Sequence, residues 1–228
     1  MQKVLVSGSA GFIGGYVVEE LLRRGYAVVG LDNFSKYGKV RKSYDSHPDY
    51  RLVEGDAQDV ELMTRLLADC DHFIAGAAMI GGISYFHTYA YDLLATNERI
   101  IAASCDAAIA ARRDGHLRKV TYLSSSMVFE GADEWPSYEG QQRQIPPPLS
   151  SYGFQKLAVE YFARAAWDQY ALPYTGTALQ LRGNRGEPGP RRSGDPVRER
   201  AARDEPRGSG PGAEGAQGPG SAAHPRLR

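Results

Sequence analysis

Tyr152 and Lys156 stand four residues apart in Ser151-Tyr152-Gly153-Phe154-Gln155-Lys156. On a helix that spacing puts both side chains on one face. An ammonium beside a phenol favours the phenolate, a general base suited to near-neutral pH. Upstream, three hydroxyls in a row, Ser124-Ser125-Ser126, close a β-branched and apolar run that begins at Lys119. Serines at a strand end also cap the turn that follows, a reading that stays open for Ser124 and Ser126.

A second set of residues is built for phosphate. Val4-Leu5-Val6-Ser7-Gly8-Ser9-Ala10-Gly11-Phe12-Ile13-Gly14 reads as a strand, a glycine turn and a helix start. Gly8 permits the tight turn, Gly11 lets backbone approach a pyrophosphate, and Gly14 allows close packing of helix on strand. The helix N-terminus adds free N–H groups and the positive end of a dipole. The next apolar run, Val28-Val29-Gly30-Leu31, ends in Asp32-Asn33. A carboxylate at that strand end accepts hydrogen bonds from ribose hydroxyls and repels a 2′-phosphate, which selects NAD over NADP. Gly55-Asp56-Ala57 follows a third strand, where adenine would be flanked, and Ala75-Gly76-Ala77-Ala78 follows a fourth. Small residues there let a cofactor lie against backbone.

The elements that must position these groups alternate. Strands at Val4–Val6, Ala27–Leu31, Arg51–Glu54, His72–Ala75 and Lys119–Ser124 are separated by helical segments at Tyr16–Arg24, Val60–Ala68, Tyr91–Ala111 and Tyr152–Tyr170. Continuously apolar strands between helices predict an α/β fold, a Rossmann-type doubly wound parallel sheet buried on both faces. Formal charge is balanced over the 228 residues, with 27 basic and 27 acidic side chains, which gives no electrostatic case for nucleic acid or an anionic membrane. No apolar stretch is long enough to span a bilayer, and nothing resembles a signal peptide. Cys70 and Cys105 lack metal-ligand spacing and read as reduced thiols of a cytoplasmic protein, and no metal site is expected. Nothing places His72, His87 or His116 beside Tyr152, so they read as structural or surface residues.

Together these residues resemble the extended short-chain dehydrogenase/reductases of the NAD-dependent sugar-nucleotide epimerase/dehydratase family. The matching stretches are the glycine turn, Asp32-Asn33, Asp56, Ala75 to Ala78, Asn97, Ser124-Ser125-Ser126-Met127-Val128-Phe129 and Ser151 to Lys156. The resemblance implies NAD as cofactor, held by Gly8, Gly11, Phe12, Ile13, Gly14, Asp32, Asn33, Asp56, Ala57, Ala75, Gly76, Ala77 and Asn97. It gives Tyr152 and Lys156 both catalytic and cofactor-holding roles, with Lys156 on the nicotinamide ribose. Alignment on the closing Val128-Phe129 pair selects Ser125 as the catalytic serine, with Ser126 second. Family dehydratases follow the catalytic residue with an acidic pair, and decarboxylases carry a Glu; here those slots hold Ser126 and Met127. Since Met cannot transfer a proton, the resemblance implies an epimerase that works on a nucleotide sugar through a transient keto intermediate. A dehydratase or decarboxylase of the same family, and a non-catalytic NAD-binding protein, are the alternatives. It also implies a homodimer through the helices Tyr91–Ala111 and Tyr152–Tyr170.

The resemblance fades after about Thr175. Residues 1–175 read as the NAD-binding domain and residues 176–228 as a low-complexity tail. From Gly183 to Arg228 there is no aromatic residue, and Val197 and Leu227 are its only Val or Leu. Such a segment buries too little apolar surface to offset ~1–2 kcal/mol of ordering entropy per residue, which predicts disorder. The family continues with a sixth strand ending in an Arg-Pro-Phe-Asn motif and then a substrate domain. Leu172-Pro173-Tyr174-Thr175 begins that strand and then the pattern vanishes, so the rest is expected to be missing and its loss to impair the chain. Thr177 to Glu187 can be encoded so that reading one base later gives Arg-Pro-Phe-Asn-Cys-Val-Gly-Ile-Gly-Glu, which suggests a frameshift in GC-rich DNA. Sequencing the gene from the Leu172 codon past the stop tests this: the motif is expected in the next frame, and its absence there makes the tail genuine.

Overall fold

The computed structural model describes residues 1–82, 85, 88–113, 115 and 117–179. The predicted tail beyond residue 179, His87 and His116 lie outside the described residues. Six strands form one parallel sheet: β1 (Lys3–Ser7), β2 (Ala27–Asp32), β3 (Tyr50–Glu54), β4 (His72–Ala75), β5 (Lys119–Ser125) and β6 (Tyr174–Leu179). The order across the sheet is β3-β2-β1-β4-β5-β6. Helices α1 (Phe12–Arg23), α2 (Val60–Leu67), α3 (Ala90–Arg113) and α4 (Ser151–Tyr170) connect the strands. This is the expected Rossmann-type arrangement, and its order reverses between β1 and β4, where such sheets open a crevice. Among the described residues no helix is long and apolar enough to cross a membrane.

Alternation along the strands builds two cores. Val4, Val6 and Val28 point to one face, where Val18 and Leu22 of α1 and Tyr44 cover them. Leu5, Val29, Leu31, Phe73, Val120 and Tyr122 point to the other, against Met63 and Leu67 of α2, Ile101 and Ala108 of α3, and Val159 and Ala163 of α4. Neighbouring strand residues are therefore apolar on both sides, which is why the sequence shows continuous apolar runs instead of alternation. Both cysteines are buried and free.

Helix ends are set locally. Asp59 accepts a hydrogen bond from the Leu62 amide at 2.9 Å and so caps α2. Ser150 does the same for α4 through the Gly153 amide at 3.0 Å. That helix stops at Ala171, which takes a left-handed φ of +52°, and Pro173 follows two residues later.

One expectation is corrected. The sixth strand was expected to begin at Leu172–Thr175 and then be lost, yet β6 continues to Leu179 and pairs in parallel with β5 from Val120↔Tyr174 to Ser125↔Leu179. The reason lies in the partner: β5 offers an unpaired edge, and an unpaired backbone edge recruits even a short, weakly patterned segment. The pairing matters for position, because β4 ends at Ala75, opposite Tyr122. The last three residues of β5, Leu123 to Ser125, outrun β4 and are flanked by β6.

Helix α1 sits hard on the turn before it. A Cβ at Gly14 would lie 2.0 Å from the Gly8 carbonyl oxygen, a contact with backbone that no side-chain motion relieves. Gly14→Ala is expected to lower unfolding free energy by about 1–3 kcal/mol, whereas Gly176→Ala, with open space around it, should change it by less than ~0.5 kcal/mol. Urea denaturation of both variants checks the contrast.

Candidate functional site

The turn after β1 is held from two sides. The Gly8 amide donates to the Leu31 carbonyl of β2 at 2.8 Å. The Ser7 hydroxyl oxygen accepts from the Gly76 and Ala77 amides, each at 3.2 Å, tying β1 to the loop after β4. Gly8 itself has φ +73°, and a Cβ there would lie 2.9 Å from the Ala77 backbone. Backbone from two loops thus converges where side chains have no room. Beyond it opens a cleft of about 730 Å³ lined by the glycine turn, Asp32, Asp56 and Ala77.

The cleft suits a dinucleotide. The N-terminus of α1 has Gly11 as its cap, no side-chain cap bond and no acidic residue in its first turn. Its first N–H groups are therefore open to an anion, and the dipole favours one. Asp32 reaches back over the turn, with one carboxylate oxygen accepting from the Ala10 amide at 2.9 Å and the other from the Phe34 amide at 2.8 Å. Each carboxylate oxygen has a second lone pair, so both remain able to receive a ribose hydroxyl. Asp56 accepts from the Gln58 amide at 2.8 Å and lies 3.4 Å from the Asn33 amide nitrogen, joining the ends of β2 and β3. Lys36 closes the rim by donating to the Ile80 carbonyl at 2.8 Å.

The second group of residues lies where α4 crosses the end of β5. Lys156 is buried and donates to the Leu123 carbonyl at 2.9 Å. Its ammonium stands 5.9 Å from the centre of the Tyr152 ring. Burial pulls its pKa down to about 8. Ser125 is 6% exposed, and its oxygen accepts from the Met127 amide at 3.3 Å, capping the 3₁₀ turn Ser126–Phe129. The capping that seemed open for Ser124 or Ser126 is made by Ser125. Ser124 instead donates to Glu160 at 2.7 Å. At the start of α4, Glu130 accepts from both the amide and the hydroxyl of Ser150, at 3.0 and 2.8 Å.

Of the residues singled out by sequence, Gly8, Gly11, Phe12, Ile13, Gly14, Asp32, Asn33, Asp56, Ala57, Gly76 and Ala77 all line the one cleft. Ala75 ends β4 and does not line it. Asn97 is buried beneath the loop after β4, where its amide donates to the Met79 carbonyl at 2.9 Å and accepts from the Met79 amide at 2.8 Å. It fixes that loop from below. Ser125, Tyr152 and Lys156 gather at the end of β5, outside the lining of the glycine cleft. His72 opens β4, where burial lowers its pKa.

Sequence reasoning overlooked several residues. Ser7 is the strand's last residue, and a polar side chain there points at the neighbouring loop, a usable signal. Gly30 leaves the space that the Ser9 and Tyr50 hydroxyls occupy, 2.5 and 2.7 Å from where its Cβ would be; only the fold reveals that. Glu160 follows Lys156 by four residues, so helix spacing alone could have placed it on the Tyr152 face.

Residues 4–196 match the family model described as the NAD dependent epimerase/dehydratase family. UDP-glucuronate 4-epimerase 4 of Arabidopsis thaliana is 31% identical over 180 residues, which cover 76% of this chain and 40% of that protein. A crystal structure of UDP-glucose 4-epimerase from Brucella ovis in complex with NAD superposes with a TM-score of 0.64 and 26% identity, covering 77% of this chain and 51% of that one. A double mutant of the dTDP-glucose 4,6-dehydratase DesIV from Streptomyces venezuelae, with NAD bound, gives 0.67 and 28%, covering 77% and 54%. This chain thus spans about half the length of the relatives it matches.

The buried ammonium of Lys156 gives a pH test. Its folded pKa of about 8 lies below the ordinary lysine value of 10.5. Between those values the unfolded chain holds a proton that the folded one has released, so this group makes stability rise with pH in that window. Below pH 8 both states are protonated and the burial cost is fully present. Wild type minus Lys156→Met unfolding free energy is expected to rise between pH 8 and 10.5 by up to about 3 kcal/mol, measured by urea titration at stepped pH.

Proposed function

The chain belongs to the NAD dependent epimerase/dehydratase family, and we propose that it epimerises a nucleotide sugar through a transient keto form of that sugar. The carrying observation is the α4–β5 junction, where Lys156 stands over the Tyr152 ring and bonds the strand two residues before Ser125. A protein that only bound a dinucleotide would need the glycine turn and Asp32 but has little use for this second group.

NAD is the family's cofactor, and when bound it would supply a hydride acceptor and donor for the sugar. The open N–H groups of α1 would hold its pyrophosphate, and Asp32 would hold its adenosine ribose and disfavour a 2′-phosphate. Ser125 uses a lone pair on the Met127 amide, so its hydroxyl proton is free to donate to a sugar oxygen. Tyr152 accepts the proton that this oxygen loses and returns it afterwards. Lys156 commits one of its three donors to Leu123, and the others remain for the nicotinamide ribose and for holding positive charge near the phenol. Eliminating water would need a further acid and base after Ser125. Ser126 and Met127 stand there, and a thioether carries no proton, which favours epimerisation over dehydration or decarboxylation.

The test is incubation of the purified chain with NAD and a panel of nucleotide sugars, with products read by proton NMR. A C-epimer is expected, formed at well below a normal enzyme's rate in keeping with the expected impairment, which normal turnover would overturn. Tyr152→Phe should lower that turnover by a further ~10²–10⁴-fold while NAD affinity changes only a few-fold. A keto-deoxy product or carbon dioxide would move the assignment to dehydratase or decarboxylase. Binding of NAD with no turnover by any sugar would leave a cofactor-binding protein.

A further inference from the structure

Tyr152, Lys156 and Glu160 follow one another at intervals of four along α4, on one face. Lys156 bonds the Leu123 carbonyl at 2.9 Å. One turn later, Glu160 accepts from the hydroxyl of Ser124 at 2.7 Å with one carboxylate oxygen. Its other oxygen accepts from the Gln142 side-chain amide, also at 2.7 Å. Two successive helical turns thus grip two successive residues of β5, and the next residue is Ser125. That stretch has outrun β4, whose last pairing is Ala75↔Tyr122, so the usual strand support is missing on that side. Gln142 lies in the 3₁₀ turn Gln141–Arg143, within the long connection from β5 to α4. The carboxylate therefore joins three segments: catalytic strand, catalytic helix and the connection between them.

We propose that Glu160 is a positioning residue that holds Ser125 in register with Tyr152 and Lys156 by clamping Ser124 and Gln142 together. The inference rests on the reading of those three residues as the site that meets the nicotinamide half of the cofactor and the sugar. Glu160 takes no part in proton transfer. Its hydrogen bonds are charge-assisted and short, the class whose loss costs most. Both arms fall at the rear of the site, so removing them lets the end of β5 slide along α4 without touching the glycine cleft.

That separation supplies the test. NAD and ADP share the half of the ligand that the glycine cleft receives, and only NAD extends to the Tyr152–Lys156 end. Affinities of the full chain for both are measured by calorimetry in wild type, Glu160→Ala, Glu160→Gln, Ser124→Ala and Gln142→Ala. Wild type is expected to bind NAD more tightly than ADP. In Glu160→Ala the NAD affinity should fall ~tenfold or more, as for a lost charge-assisted hydrogen bond, with ADP affinity unchanged. Glu160→Gln should retain most of the NAD preference. Its carbonyl still accepts from Ser124, and Gln142, whose Oε1 has no hydrogen-bond partner among the described residues, turns its amide to accept from the new N–H. Ser124→Ala and Gln142→Ala should each give part of the loss, and they serve if Glu160→Ala does not fold. A purely structural role would lower the melting temperature while leaving the NAD-to-ADP ratio intact, and that result overturns the proposal alone. A wild-type chain that binds NAD no better than ADP overturns the reading of the Tyr152–Lys156 site, and the proposal with it.

Discussion

Everything at the cofactor end depends on how closely three backbones meet at the tip of β1. The turn at Gly8, the first turn of α1 at Gly14 and the loop at Gly76-Ala77 leave no room for a Cβ at any of the three glycines. The Ser7 side chain enters the junction and accepts two amides of the β4 loop at once. Because the strand order reverses beside β1, the loops after β1 and β4 leave in opposite directions, and the junction becomes the floor of a cleft. Main-chain N–H groups then face that cleft as its chief polar feature. A phosphate finds donors there that cost no side-chain entropy to hold in place.

The catalytic end is built on a different principle. Its strand, β5, leaves β4 behind after Tyr122, and the residues that matter come after that point. Side chains of α4 take the place of the missing neighbour by bonding the Leu123 carbonyl and the Ser124 hydroxyl. Ser125 is then fixed by its own cap on the following turn. The cleft is thus a backbone site made by glycines, and the Tyr152–Lys156 group is a side-chain site made by one helix face. In the proposed reading they serve the two ends of one extended ligand.

This difference explains what could be read from sequence. Backbone sites need glycines, and glycines at fixed spacing after an apolar run are visible in one dimension, so the turn, Asp32 and the strand ends at Gly55 and Gly76 were legible. Five strands and four helices were legible for the same reason, since a sheet buried on both faces leaves unbroken apolar runs. The side-chain site was legible only in part. Tyr152 and Lys156 declare themselves by helix spacing, but the bond to Leu123 joins residues 33 apart. Asn97 shows the limit in another way: it is a polar residue in an apolar helix, which suggests ligand contact, yet its amide both donates to and accepts from the Met79 backbone. The strand β6 was legible only in its first residues because the pattern weakens from Gly176 onward, and the open edge of β5 supplies what local propensity does not.

Lys156 brings the two principles together. A buried lysine is costly to a fold, and a methionine of similar length would fill the same space without a charge to desolvate. Packing volume alone therefore gives no reason for an amine at this position; its reasons are polar, the bond to the Leu123 carbonyl and the charge it carries. Burial depresses its pKa only to about 8, so at neutral pH most molecules still carry the ammonium. The cation is thus kept where solvent screens it little, and the Tyr152 ring stands 5.9 Å away, within reach of its field. Deeper burial would neutralise the amine and remove that field, and an exposed lysine would lose it to water. The depth at which α4 sets Lys156 against β5 therefore governs the charge held near the Tyr152 ring, and the residues that fix this depth act on that charge through it.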